Sequence, residues 1–177
     1  RAHVPLATLP GMAERTLTLS SAGKSFSLTG WKIGWAIGPE PLQTAIRRIH
    51  QFTVFASTTP MQYAIAAALR LPDSYFHALT EAYQSRRDFL LDRLAATGLS
   101  PFAPEGAYFI LADIGHLPFD DADHFCRHLV TEVRVTAIPP ATFYINQEEG
   151  KHLVRFCFCK RWETLEAAAE RLVRLQA

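Results

Sequence analysis

Between its first residue and Gly98, this chain has only two short stretches with the makings of a β-strand, and the other regular stretches there are helical. Thr16-Leu17-Thr18-Leu19-Ser20 alternates and is rich in β-branched residues, and Trp31 to Ile37 is a second run, stopped by Gly38-Pro39. Two strands are too few for a sheet that is stable alone. A partner must therefore complete it, and the simplest partner is a preceding portion of the same polypeptide.

The helices that follow are legible from spacing. Leu42, Ala45, Ile46 and Ile49 recur at helical intervals after Pro41. Thr59-Pro60 supplies an N-cap and first-turn pair for a helix through Leu69. Pro72 restarts a longer helix with Phe76, Leu79, Tyr83, Leu90 and Leu94 on one face, ending at Gly98. Beyond Gly98 the texture changes. Ala107 to Ala112, Val135 to Ile138 and Leu153 to Cys159 are expected strands. Asp121 to Glu132 is an expected helix with an acidic start in Asp120-Asp121-Ala122-Asp123, and Glu163 to Leu175 is the last helix. Strands alternating with helices give an α/β chain. The expected organisation is part of one domain over residues 1–70 and a second, smaller domain over 71–177, entered through the long helix.

Composition removes several function classes. The 177 residues are 49% hydrophobic and 20% charged with a net charge of +1, which is globular composition without the footprint of a nucleic-acid or anionic-membrane binder. The longest apolar run, Tyr63 to Leu69, is far short of a membrane span. Arg1-Ala2-His3-Val4-Pro5 lacks the apolar segment of a secretory leader. Three cysteines, Cys126, Cys157 and Cys159, make no disulfide framework and suit a reducing, cytoplasmic compartment. Cys157 and Cys159 alternate with Phe156 and Phe158 and are expected as small core residues of a strand rather than metal ligands.

The segment from Ser20 to Trp35 carries the chemistry. Gly23-Lys24-Ser25 matches the end of a phosphate-cradling nucleotide loop, but that loop needs a leading glycine five places before Gly23. Thr18 stands there, inside an expected strand. The other pattern is Ser21-x-x-Lys24 after a strand, then Lys32 eight residues on, with Gly34 behind it. It resembles the fold-type I aminotransferases, whose cofactor lysine has this setting. Arg is the more usual residue where Lys32 stands.

Further stretches carry the resemblance over nearly the whole chain: Pro10-Gly11-Met12, Thr29-Gly30-Trp31-Lys32, Ile49-His50-Gln51, Pro104-Glu105-Gly106-Ala107-Tyr108-Phe109, Ala137-Ile138-Pro139, Phe143-Tyr144 and Val154-Arg155-Phe156-Cys157-Phe158. They look most like the kynurenine, glutamine and methionine aminotransferases, in which Lys replaces Arg at the place of Lys32.

The resemblance implies an α/β fold made of the C-terminal part of a pyridoxal-phosphate-binding large domain plus the small C-terminal domain. It implies pyridoxal 5'-phosphate held by Lys24 as a Schiff base, with Ser21 and Lys32 on the phosphate. A hydroxyl donor and an ammonium point charge suit that group. An amine becomes a nucleophile when a second cation and partial burial favour its neutral form, which Lys32 and a pocket are expected to provide for Lys24. Substrates are an amino acid and a 2-oxo acid. The implied partners are the N-terminal half of the same polypeptide, which supplies the remaining cofactor contacts, and a second subunit in a homodimer.

Arg155 matches the strand arginine that holds the substrate α-carboxylate in these enzymes. A surface arginine is the bland alternative, but its apolar flanks favour a buried strand, where a guanidinium needs an anionic partner. Phe55 matches an aromatic that enters the neighbouring subunit's substrate pocket; a core aromatic at a helix end is the other reading. His124 and His128, spaced four apart, suit a solvated helix face better than a metal pair without a third ligand, and His50 is read as structural. Three functions follow as expectations. They are transamination of aromatic, methionine-like or kynurenine amino acids, β-elimination from cysteine S-conjugates on the same cofactor, and a truncated, non-catalytic interaction domain.

Overall fold

The first strands pair, as far as two strands can. A computed structural model describes residues 2–176 and divides into two compact units, Arg1–Phe76 and His77–Ala177. In the first, β1 (Thr18–Ser21) runs directly into a one-turn helix α1 (Ala22–Ser25). A 3-10 turn at Thr29–Trp31 then leads to β2 (Gly34–Ile37). The two strands are antiparallel, with Ser21 opposite Gly34 and Thr18 opposite Ile37. Helices α2 (Glu40–Thr53) and α3 (Thr59–Ala68) follow. Glu40 opens α2 beside Pro41, and its carboxylate accepts hydrogen bonds from Thr44 and Arg47.

The core of this unit is small. Ala22, Ile33 and Ile65 are buried, with Phe26, Leu28, Trp35 and Met61 packed on them. Phe26 also stacks on Tyr75 at 5.9 Å, and the Tyr75 hydroxyl donates to the Ser25 carbonyl at 3.0 Å, which pins the end of α1. Apolar side chains elsewhere in the unit stand open: Leu19 on β1 is 71% exposed, and Ile37, Ile49, Phe52 and Tyr63 are exposed as well. A sheet of two strands leaves such residues without a covering layer.

The second unit has the larger core. Helix α4 (Asp73–Ala96) ends at Gly98, whose φ of +84° is the left-handed terminator that glycine adopts without strain. Strands β3 (Ser100–Phe102), β4 (Phe109–Asp113) and β5 (Leu153–Cys157) form an antiparallel sheet in the order β3-β4-β5. Helices α5 (Ala122–His128) and α6 (Trp162–Leu172) complete it. Alternation decides the faces: Ile110, Ala112, Val154 and Phe156 are buried against Leu90 and Leu94 of α4, Phe125 of α5 and Leu165 and Leu172 of α6. Phe109, Leu111, Arg155 and Cys157 project from the other, half-buried face. Among the described residues no helix is long and apolar enough to cross a membrane.

Several expectations need correction. The strand expected from Trp31 begins only at Gly34, because Thr29–Trp31 turns as a 3-10 helix and Lys32 takes a left-handed backbone. Val135 to Ile138 makes one bridge, Ile138 to Arg155, instead of a strand. The N-cap of α3 is Thr58 rather than Thr59. The helix from Asp121 changes to a π turn at Leu129–Val133, and its start is capped as the acidic run suggests, the Asp121 carboxylate accepting from the His124 N–H at 2.8 Å. The cysteine assignment inverts: Phe156 and Phe158 are the core residues, and Cys157 and Cys159 lie on the half-buried side.

Candidate functional site

Ser21, Lys24 and Lys32 line one cavity of about 290 Å³, together with Thr29 and the backbone of Gly23 and Gly34. Local folding brings them there. Ala22 is fully buried, its N–H donates to the Ile33 carbonyl at 3.0 Å, and its own carbonyl accepts from Phe26 and Leu28. The α1 turn is therefore tied to the approach to β2. Thr29 Oγ1 donates back to the Gly23 carbonyl at 3.1 Å. Lys32 is held at φ 55°, ψ 37°, a conformation that costs a side-chain-bearing residue on the order of 1 kcal/mol or more. Lys24 and Lys32 are both exposed, so the partial burial expected of Lys24 is not found within this chain. Two ammonium groups and two hydroxyls around one cavity make a donor set for an anion with several oxygens.

Arg155 lies in the second unit. Its backbone is fixed on both sides, by β4 and by reciprocal bonds with Ile138 of 2.9 and 3.1 Å. Its Cζ lies over the ring of Phe109 at 5.0 Å and that of Phe143 at 5.7 Å. Nε is buried and has no hydrogen-bond partner among the described residues. Arg155 is half-buried, and a sequestered guanidinium N–H without an acceptor among the described residues can receive one from an anion.

Phe55 has no core around it within these residues. It is 81% exposed, at φ 71°, in the turn between α2 and α3, with Phe52 at 87% and exposed Val54 and Ile49 nearby. The His50 backbone carbonyl accepts from the N–H groups of Val54 and Phe55. His124 and His128 share the ring of Phe119, at 5.3 and 5.2 Å, and His124 approaches the Asp120 carboxylate at 3.4 Å. Cys126 is buried in the core, and burial, with a smaller contribution from the Asp123 charge, pushes its thiol up to about 12.

The sequence profile of the aminotransferases of class I and II matches residues 3–172. The chain belongs to that family. Kynurenine–oxoglutarate transaminase of Dictyostelium discoideum is 43% identical over 194 residues, covering 98% of this chain and 45% of that protein. Human kynurenine–oxoglutarate transaminase 1 is 38% identical, covering 96% and 45%. Among solved structures, N-succinyldiaminopimelate aminotransferase from Mycobacterium tuberculosis superposes with a TM-score of 0.91 at 43% identity, covering 99% of this chain and 46% of that one. YbdL from Escherichia coli, identified as a methionine aminotransferase, gives 0.89 at 37% identity, covering 97% and 45%. The chain thus spans about half the length of the relatives it matches, and its fold is a C-terminal portion of fold type I.

Class I and II aminotransferases use pyridoxal phosphate. The donor set fits that cofactor: an amine in Lys24 to carry the aldehyde carbon, with Ser21 and Lys32 as hydroxyl and ammonium for the phosphate. Sequence reasoning missed Thr29, which lines the same cavity, and Phe109 and Phe143 around Arg155. Both aromatics stand in stretches that carry the resemblance, but only strand register and loop packing bring their rings to one guanidinium.

Proposed function

We propose that this chain is the C-terminal half of an aminotransferase that moves the amino group of an aromatic, methionine-like or kynurenine amino acid to a 2-oxo acid. The observation that carries the reading is the convergence of Ser21, Lys24 and Lys32 on one cavity. Pyridoxal phosphate supplies the electron sink that makes the substrate Cα proton removable. Lys24 would hold the cofactor, and its Nζ would be the group that takes the substrate Cα proton and returns it. Ser21 and Lys32 hold the phosphate in place. Arg155 takes the α-carboxylate, its buried Nε and terminal N–H groups offering a fork to two oxygens.

Residues 1–70 are read as part of the cofactor-binding large domain and 71–177 as the small domain, completed by an upstream half of the same polypeptide. The exposed Ile49, Phe52, Val54 and Phe55 suit the interface of a homodimer in which Phe55 enters the partner subunit's substrate pocket. A cytoplasmic location agrees with Cys126, Cys157 and Cys159 standing outside any disulfide among the described residues. The similarity to kynurenine and methionine aminotransferases supports the donor class. A relative named for N-succinyldiaminopimelate at 43% identity favours that compound as a second donor to test.

The test uses the full-length polypeptide with pyridoxal phosphate. Borohydride reduction and peptide mapping should find the pyridoxyl label at Lys24, and kynurenine, phenylalanine or methionine should yield a 2-oxo acid only when an acceptor 2-oxo acid is present. A label at Lys32 or Lys160 would overturn the site. A cysteine S-conjugate that turns over without any acceptor, its Cβ–S bond breaking to release a thiol, pyruvate and ammonia, would replace transamination by β-elimination.

A further inference from the structure

We propose that Phe109 and Phe143 are positioning residues for Arg155, holding its guanidinium so that the carboxylate is received in one orientation. The proposal rests on the reading of Arg155 as the carboxylate-binding residue.

The geometry starts from strand register. Leu111 pairs directly with Arg155 across β4 and β5, so Phe109, two residues back on the same face, is its diagonal neighbour. That register brings the Phe109 ring under the guanidinium, at 5.0 Å from Cζ. Phe143 arrives from the other direction in the chain. Pro140 opens a 3-10 turn, Ala141–Phe143, closed by the Phe143 N–H donating to the Pro140 carbonyl at 2.9 Å. The turn is clamped at Gly150: a Cβ there would meet Ala141 Cα and the Tyr144 ring at 2.8 Å, so only glycine allows this approach. The Phe143 ring thereby comes within 5.7 Å of Cζ.

An aromatic face attracts a guanidinium without supplying an oxygen or nitrogen acceptor to its N–H groups. Those donors remain for an acceptor, and Nε, buried without a protein partner, is one of them. A carboxylate binding there meets a planar fork whose orientation is already fixed, so less rotamer entropy is lost on binding. An ammonium would gain attraction from the rings but has no plane for them to fix. The rings therefore act on how well the carboxylate is held, and the chemistry at the amino group does not depend on them.

The test is made in the full-length holoenzyme with Phe143→Leu, Phe143→Tyr, Phe109→Leu and Arg155→Lys. Propionate, a carboxylate without an amino group, serves as competitive inhibitor. Because Phe143 is 70% exposed within these residues, its truncation removes little of their own packing. Phe143→Leu should raise the propionate inhibition constant, and the KM of every amino-acid donor, by about three- to tenfold while kcat changes far less. Phe143→Tyr should restore wild-type values, and Phe109→Leu should behave as Phe143→Leu does. Propionate inhibition unchanged in Phe143→Leu, or a Phe143→Tyr enzyme no better than Phe143→Leu, overturns the proposal. Inhibition unchanged in Arg155→Lys overturns the reading of Arg155 itself, a different failure visible in the same assay.

Discussion

Gly34 approaches the carbonyl of Ser20 so closely that a Cβ on Gly34 would lie 2.8 Å from that oxygen. The close contact sits between the two sides of the cavity, because Gly34 pairs with Ser21 and stands two residues after Lys32. A backbone oxygen cannot swing aside as a side chain does. Gly34→Ala must therefore spread β1 and β2, at a cost of about 1–3 kcal/mol. In the full-length protein we expect a lower melting temperature and a cofactor dissociation constant raised at least about tenfold, read from the visible absorbance of the bound cofactor. Unchanged cofactor affinity would separate the strand contact from the site.

Lys24 is exposed and lies on a one-turn helix whose anchor is Ala22. Lys24→Ala in the full-length enzyme should abolish turnover and the visible band while shifting stability by no more than about 0.5 kcal/mol, as exposed substitutions do. Circular dichroism and a denaturant titration check the second half. A loss of several kcal/mol would mean that the lysine is structural.

What the sequence disclosed and what it withheld divide along a physical line. Local signals were readable: Asp121 caps α5, Gly98 ends α4, and Leu90 and Leu94 are the buried turns of its apolar face. The Ser21, Lys24 and Lys32 pattern was readable because all three sit within a dozen residues, on one strand–turn–strand unit. The short strand Ser100–Phe102 was missed. Pro101 within it argues against a strand, yet β3 is an edge where a missing N–H costs little. The surroundings of Arg155 were also hidden, since Phe109 reaches it through cross-strand register and Phe143 through a loop clamped at Gly150.

Cys126 gives a pH signature. Burial and the neighbouring Asp123 raise its thiol from 9.0 to about 12, so the folded state holds the proton more tightly than the unfolded state. Its contribution to stability is complete below about pH 9 and is lost progressively as the pH rises toward 12. Urea titrations of the full-length protein at pH 8 and pH 10 should therefore show a fall that Cys126→Ala reduces. Iodoacetamide at pH 8 should leave Cys126 unmodified in the native protein, because the thiolate is the reactive form and burial keeps this residue as the thiol. Rapid modification of Cys126 in the native protein would contradict its placement.

The first unit should not survive alone. Its buried cluster is three residues, while Leu19, Ile37, Phe52 and Tyr63 stand exposed around a two-stranded sheet. Expressed as these 177 residues, the chain should aggregate, bind an apolar dye strongly and fail to retain pyridoxal phosphate. Hydrogen exchange should be slowest in β4, β5 and α4, where the main core lies. A monomeric, cooperatively unfolding, cofactor-bound fragment would show that the unit needs no partner.

Substrate choice should separate Arg155 from Phe55. Every amino-acid donor carries an α-carboxylate, so Arg155→Ala should weaken all of them alike, by about 1.5–3 kcal/mol for a charged hydrogen bond. Phe55 exposes an apolar ring, and an apolar pocket wall sorts side chains by about 1–3 kcal/mol per group, so Phe55→Ala should lower kcat/KM for phenylalanine more than for smaller donors. Kynurenine and methionine aminotransferases are among the proteins this chain is similar to, so aspartate should be a poor donor beside phenylalanine, methionine or kynurenine. The comparison is kcat/KM for methionine, phenylalanine and aspartate in the wild-type, Arg155→Ala and Phe55→Ala enzymes. Aspartate as the best donor, or an unchanged ranking and rate in Phe55→Ala, would refute the donor class. Unequal losses across donors in Arg155→Ala would mean that this arginine reads the side chain instead of the α-carboxylate.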